Sequence, residues 1–381
     1  MIAICYNILK KGDLMEYKSS YDRINNISDI DYISRKICKD YCFGEYAGYQ
    51  LIEIGYEDFN YILYTETNKY VVKILNTERD LSSCNRLISI LSKSIKEGVP
   101  VPNIYSVNNQ LLYEINVQDT LLRLFVMEYS GKNFWELGKE LNDDELKQVA
   151  FIASKINSID YNIRETFYDE WTVTNLLKEY DKKQDSLLEK DKINIQPIIH
   201  SFNSIDFNKL KYSYVHGDII KANLLLDNNK ISIIDFSAFN YLPRIVEITA
   251  LLLGLCLTNE KGSTIYKMNQ FLSYYHELNP LSNQEIEYLP LLLKSLASMY
   301  IIQTSFIIAE SLDYVENEYW LLEGRKYLDM DINKKIYNLL KKCKSFILLF
   351  VRLYLRIFFL YLHNLLILLN LNILNLSHNI Y

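Results

Sequence analysis

The chain has 381 residues, 49% of them hydrophobic and 23% charged, which is enough for two or three structural units around a sizeable core. A formal net charge of −6 and a pI near 5.6 count against an extended nucleic-acid interface, because phosphate binding needs a basic face. Low Gly and Pro argue against a repeat or disordered chain. Six scattered cysteines with no CxxC pair, together with rare His, argue against zinc and for a reducing cytoplasm.

In chain order, Met1–Lys11 has a short apolar run whose Lys pair follows it, the wrong polarity for a secretion signal. Lys10–Met15, KKGDLM, reads as codons of a purine-rich ribosome-binding sequence before an ATG, so Met15 is a candidate start. Residues 1–40 read as an N-terminal extension. From residue 41 to 129 the pattern is strand-rich. YQLIEIGY and FNYILYTET flank a turn at Glu57-Asp58, and NKYVVKIL completes a three-strand meander. Thr77–Glu97 reads as a helix ended by Gly98 and Pro100. Further strands are expected in Asn103–Val107, Gln110–Asn116 and Leu121–Tyr129. Residues 130–345 read as a larger, mostly helical lobe. Asp143 or Asp144 can cap a helix with Leu146, Val149, Ala150, Ala153 and Ile156 on one face. The fold expected is α+β with two lobes, and such a plan puts a cleft at the joint.

Residues 346–381 form an apolar tail without an acid, Gly or Ala. It is long enough to span a bilayer, yet Arg352, Arg356, His363 and several Asn interrupt it at a cost. A membrane-associating helix, a packed terminal helix and an out-of-frame extension all stay open, with membrane association not favoured.

The helical lobe is interrupted at Tyr214–Ser237, YVHGDIIKANLLLDNNKISIIDFS. Asp235 closes an apolar strand, where a bare carboxylate is costly unless a cation neutralises it. Asn223 offers a neutral carbonyl oxygen. Both suit Mg²⁺ carrying a nucleoside triphosphate, since that ion takes oxygen ligands and keeps phosphate or water in its other positions. Asp218, outside this pair, can accept the proton of an attacking hydroxyl. The division of labour is that of phosphoryl transfer.

HGDIIKAN with IIDFS resembles the aminoglycoside phosphotransferase and choline kinase-like family of small-molecule kinases, whose pattern is close to HGDxxxxN…IDF. The resemblance covers about residues 41–310. It implies a protein-kinase-like fold and ATP- and Mg²⁺-dependent transfer of the γ-phosphate to a hydroxyl. It also implies that Lys73, on the strand YVVKIL, meets the nucleotide phosphates. VMEYSG, with Glu128 and Tyr129, resembles the adenine-binding hinge. Glu78 is the candidate for the helix glutamate that pairs with the lysine, or else an acid that favours the helix N-terminus. Lys221 replaces a residue usually proline in the family and either reaches the γ-phosphate or is solvated. His216 reads as a structural member of the loop; Arg244 and Glu247 either orient the loop or cap the following helix, the structural reading being preferred. Tyr314, Tyr319 and Trp320, among acids at 310–331, suit an amine-bearing acceptor or a packed helix face. An aminoglycoside, an amino alcohol and a hydroxy-amino acid remain open as the acceptor. The alternatives are an atypical protein kinase and a catalytically silent nucleotide-binding regulator. The absence of HRD and APE segments speaks against a protein kinase.

Overall fold

Inward-facing side chains alternate along Phe59–Thr65, with Phe59, Tyr61 and Leu63 buried, and this period of two makes the segment a strand. The protein is described by a computed structural model over residues 20–52, 57–162, 164–311 and 315–330. The Met15 start, Tyr314 and the 346–381 tail lie outside the described residues. The small lobe is built from β1 (Tyr46–Ile52), β2 (Phe59–Thr65), β3 (Lys69–Leu75), β4 (Ile104–Tyr105), β5 (Tyr113–Val117) and β6 (Thr120–Glu128). These form one antiparallel sheet in the order β1-β2-β3-β6-β4, with β5 paired to β6.

A helix α1 (Ile30–Asp40) covers this sheet. Asp29 caps it by accepting from the Tyr32 N–H at 3.0 Å. Its Ile30, Ile33 and Ile37 join Tyr61, Leu63, Val72 and Ile74 in one buried cluster. Residues 20–40, expected as an extension, therefore supply part of the small-lobe core. Helix α2 (Leu81–Lys96) begins four residues later than expected, because Asp80 is its N-cap and accepts from the Ser83 N–H at 2.7 Å. The Asn76 side chain holds the Glu78 N–H at 2.9 Å in the turn before it.

The large lobe contains α3 (Asp143–Ile156), α4 (Leu176–Lys183), α5 (Glu189–Phe202), α6 (Ile245–Cys256), α7 (Lys261–Leu278), α8 (Asn283–Ser311) and α9 (Val315–Met330). Neither Asp143 nor Asp144 caps α3. Asn142 does, in a capping box with Glu145, because its extended backbone lets both side chains reach the other's N–H. Among the described residues one helix, over Asn283–Glu310, is long and apolar enough to cross a membrane, and 67% of its most apolar window is buried inside the fold. It packs on α4, α5, α6 and α9 as the central helix of the lobe.

Between the lobes, β7 (Lys132–Asn133) pairs with β9 (Leu224–Asp227), which forms a hairpin with β10 (Lys230–Ile233). Asn228 and Asn229 turn this hairpin at positive φ, a conformation Asn tolerates. A second pair joins β8 (Tyr212–Val215) to β11 (Asn240–Pro243). The two ribbons hold the loop after β8 against the loop after β10. Gly217 is required there: its φ is +85°, and an added Cβ would lie 2.5 Å from the Ala238 carbonyl oxygen.

Candidate active site

A cleft of about 1710 Å³ runs between the lobes. Its small-lobe walls include Val71, Ile104, Phe125 and Met127, and the chain from Glu128 to Gly131 forms its back edge. Lys73 enters from β3, where Asn60 and Phe125 are its cross-strand neighbours. The lysine is buried, and its Nζ lies 3.0 Å from Asp235 Oδ1 and 3.2 Å from Asp58 Oδ2. Burial pulls the ammonium down, but the two carboxylates outweigh burial and raise it. Lys73 is therefore a fixed cation 162 positions from its partner Asp235.

Asp235 follows β10 in a left-handed conformation at φ +66°. Such strain is stored where surroundings over-determine the geometry. Ser237 Oγ donates to Asp235 Oδ1 at 2.7 Å, the same oxygen that Lys73 holds. Burial raises this carboxyl, but Lys73 and Ser237 overcome it and leave it far below the usual carboxylate range. Its side chain is 35% exposed, towards the cleft it lines.

Asn223 donates through Nδ2 to Asp218 Oδ2 at 2.8 Å and to the Asp218 carbonyl at 3.0 Å. That spends the amide's donors on Asp218 and leaves its carbonyl oxygen as the free end. Its own N–H and C=O are tied to Ile220 and Ile234. Asp218 lines the cleft. Burial, then the charge of Asp235, pushes its carboxyl up to about 7, against the lowering effect of Asn223.

The loop carrying Asp218 is held from behind. His216 is fully buried, its Nδ1 accepts from the Asp218 N–H at 3.2 Å, and its Nε2 meets the Ile234 carbonyl at 3.2 Å. One nitrogen accepts and the other donates, so the ring is neutral; burial pushes it down to about 4. Glu247 on α6 accepts from the His216 N–H at 2.5 Å, and its other oxygen accepts from Asn157 Nδ2 at 2.7 Å. Arg244, also buried, pairs with Glu285 at 2.7 Å and fixes the start of α6 to α8. Glu247 thus orients the loop, the reading the sequence left second, and Arg244 makes no side-chain cap on α6.

Two of the expected site residues are not brought to the cleft. Glu78 is exposed in the turn before α2 and makes no ion pair with Lys73; Asp58 and Asp235 hold that place. The reason is local: Asp80 starts the helix, so Glu78 lies outside it. Lys221 is absent from the lining, and burial lowers its ammonium, with Glu140 and Glu323 as its nearest acidic influences. Glu128 and Tyr129 do line the cleft. Trp320 lines it and packs on Tyr300 at 5.1 Å, whereas Tyr319 packs on Trp135 at 4.9 Å. Asp58 was missed. A signal existed, since the sequence of α2, LSSCNRLISILSKSIK, contains no acid at all.

Residues 48–277 match the family model for APH, the phosphotransferase enzyme family. A homoserine kinase of Methylobacillus glycogenes is 24% identical over 260 residues, covering 65% of this chain and 76% of the relative. One from Agrobacterium fabrum is 22% identical, covering 68% and 80%. Among solved structures, an amicoumacin kinase in complex with AMP-PNP, Ca²⁺ and Ami superposes with a TM-score of 0.59 at 16% identity, over 81% of this chain and 95% of that one. A choline kinase of Streptococcus pneumoniae gives 0.53 at 14% identity, over 79% and 98%. These likenesses establish the two-lobed, protein-kinase-like fold. With more than half of its length matched by the family model, the chain belongs to the phosphotransferase enzyme family and is a small-molecule kinase acting on a hydroxyl acceptor.

Proposed function

We propose that the protein transfers the γ-phosphate of ATP, with Mg²⁺, to a hydroxyl of a small, amine-bearing molecule. The observation that carries this reading is the bond from Asn223 Nδ2 to Asp218 Oδ2, which separates one carboxylate for the acceptor from two oxygens for a metal. The donor set fits a hard divalent cation: the Asn223 carbonyl oxygen and the Asp235 carboxylate are both oxygen ligands facing the cleft. Asn223 and Asp235 would hold the ion, with phosphate and water in its remaining positions. Mg²⁺, when bound, neutralises charge on the phosphates. Lys73 supplies a fixed positive charge beside it, and Glu128–Gly131 offers backbone groups to the adenine.

Asp218 receives the acceptor's hydroxyl proton, and the bond to Asn223 aims its carboxylate. The large-lobe walls suit a cation. Glu136, Asp169 and Glu170 line them with Trp171, Tyr300 and Trp320, and no Lys or Arg from beyond Gly131 lines the cleft among the described residues. Asp169 is fixed by Trp171 N–H at 2.9 Å and Thr172 Oγ1 at 3.0 Å. An ammonium group would meet acids and aromatic faces there. The test is ADP release with Mg-ATP across homoserine, hydroxylysine, choline and aminoglycosides, with product phosphorylation read by ³¹P NMR. Transfer to an amine-bearing alcohol is expected. ADP release independent of every acceptor would overturn the reading.

A further inference from the structure

We infer that Asp58, from the turn before β2, is the positioning residue that fixes Lys73 for the nucleotide, in the place of an acid on helix α2. The inference rests on the reading of Lys73 as the nucleotide-phosphate lysine. Asp58 has a side chain with no exposed surface, and its four contacts saturate it. Oδ2 lies 3.2 Å from Lys73 Nζ, and Oδ1 accepts from the Asn76 N–H at 3.0 Å and from Arg79 Nε at 3.1 Å. A second guanidinium nitrogen reaches Oδ2 at 3.5 Å. A carboxylate buried this fully is tolerated only because cations surround it.

The placement follows from strand register. Asn60 faces Lys73 across β2 and β3, so Asp58, two residues earlier, falls on the same face and on a diagonal to the lysine. The pair is built inside one hairpin. Helix α2 offers nothing instead: it carries no acid, and the residues it brings to the cleft are Arg86, Leu87 and Leu91. Lys73 is thereby held between the hairpin and Asp235 and not by a side chain of α2. The lysine is set before nucleotide arrives, which removes an ordering cost from binding.

The experiment compares Asp58→Asn, Arg79→Met and Lys73→Met in the full chain. Two quantities are measured: KM for ATP and KM for the acceptor. Asp58→Asn should raise KM for ATP by about tenfold while leaving that for the acceptor within about twofold. Arg79→Met keeps the pair with Lys73 and should leave KM for ATP near wild type. If Arg79→Met raises KM for ATP as much as Asp58→Asn does, or if Asp58→Asn raises both KM values alike, Asp58 is only structural and the inference fails. If Lys73→Met itself leaves KM for ATP unchanged, the nucleotide-site reading fails instead. Should Asp58→Asn be insoluble, Asp58→Asn/Lys73→Met removes both buried charges and should restore soluble protein; no recovery overturns the pairing.

Discussion

The loop after β8 and the loop after β10 each deliver one carboxylate to the same cleft, and the two titrate in opposite directions. Burial raises both. Asp235 has Lys73 at 3.0 Å and a serine donor, and it falls far below the ordinary range. Asp218 has the neutral Asn223 against the negative fields of Asp235, Asp169 and Glu57, and it rises to about 7. Depth alone therefore does not assign a role; the nearest charge does. A carboxylate that stays ionised suits a metal, and one poised near neutrality suits a proton. The largest expected effect breaks this division from the Asp218 side. Asp218→Ala should lower kcat by roughly 10²–10⁴ while calorimetry finds nucleotide affinity nearly intact. Asp235→Ala should instead weaken Mg-ATP binding. Equal loss of nucleotide affinity in both variants would contradict the separation.

A second break acts on the scaffold behind Asp218. Glu247→Ala strips the acceptor from the His216 and Gly217 N–H groups and from Asn157. Each buried donor left unpaired costs about 1–3 kcal/mol, so a drop in Tm with a concurrent fall in kcat is expected. Unchanged Tm with unchanged kcat would mean the loop does not need this anchor. Glu247→Gln, which keeps an accepting oxygen, should retain more activity than the alanine variant.

The comparison also has a pH signature. Asp218 must be ionised to take a proton, so kcat/KM for the acceptor should rise with pH and level off above about 7. Below that point it should fall about tenfold per pH unit. His216, pushed down to about 4, contributes no limb near 6.5. The sign for stability is the reverse. Asp218 and Glu247 both have folded-state values raised to about 7, so between about pH 4 and 7 the folded protein binds more protons than the unfolded chain. Stability is then lost as pH rises through that window. Asp218→Asn should raise Tm at pH 8, at roughly 2–4 °C per kcal/mol, while removing activity. A flat rate profile from pH 6 to 8 would refute the assignment.

The order of strands and helices, and the meeting of Lys73, Asp218, Asn223 and Asp235 in one cleft, were legible because local pattern specifies them. A period of two places Lys73 on a strand, and the fixed offsets within the β8–β11 segment bring Asp218 and Asn223 together with Asp235. The lysine's second partner was not legible from the motif alone. Asp58 lies only 15 positions before Lys73, but its contact depends on hairpin register, and an acid at a turn looks like any solvated acid. The same holds for residues 20–40, whose isoleucines reveal a core only when the sheet they cover is known. Helix starts shifted by one to four residues wherever Asp80 or Asn142 competed as cap. Lys221 misled because adjacency in sequence to Asp218 does not place its side chain in the same cleft.

The acceptor wall is where sequence said least, and it gives the smallest effect. Tyr300 lines the cleft, its ring packs on Trp320, and among the described residues no partner hydrogen-bonds to its hydroxyl. Burial, then the nearby Asp218 charge, keeps the phenol protonated, so it presents a donor near the carboxylate proposed to receive the acceptor's proton. A bound alcohol placed against Asp218 would be within reach of that donor. Tyr300→Phe removes one hydrogen bond and keeps the ring contact with Trp320. One such bond is worth about 0.5–1.5 kcal/mol, so KM for the acceptor should rise by roughly 2–10-fold with KM for ATP and Tm unchanged. Trp320→Ala removes the aromatic wall without touching the donor. If Tyr300→Phe leaves acceptor KM unaltered while Trp320→Ala raises it, the wall recognises its ligand by its aromatic face alone, and the hydroxyl at position 300 has no part in orienting the alcohol.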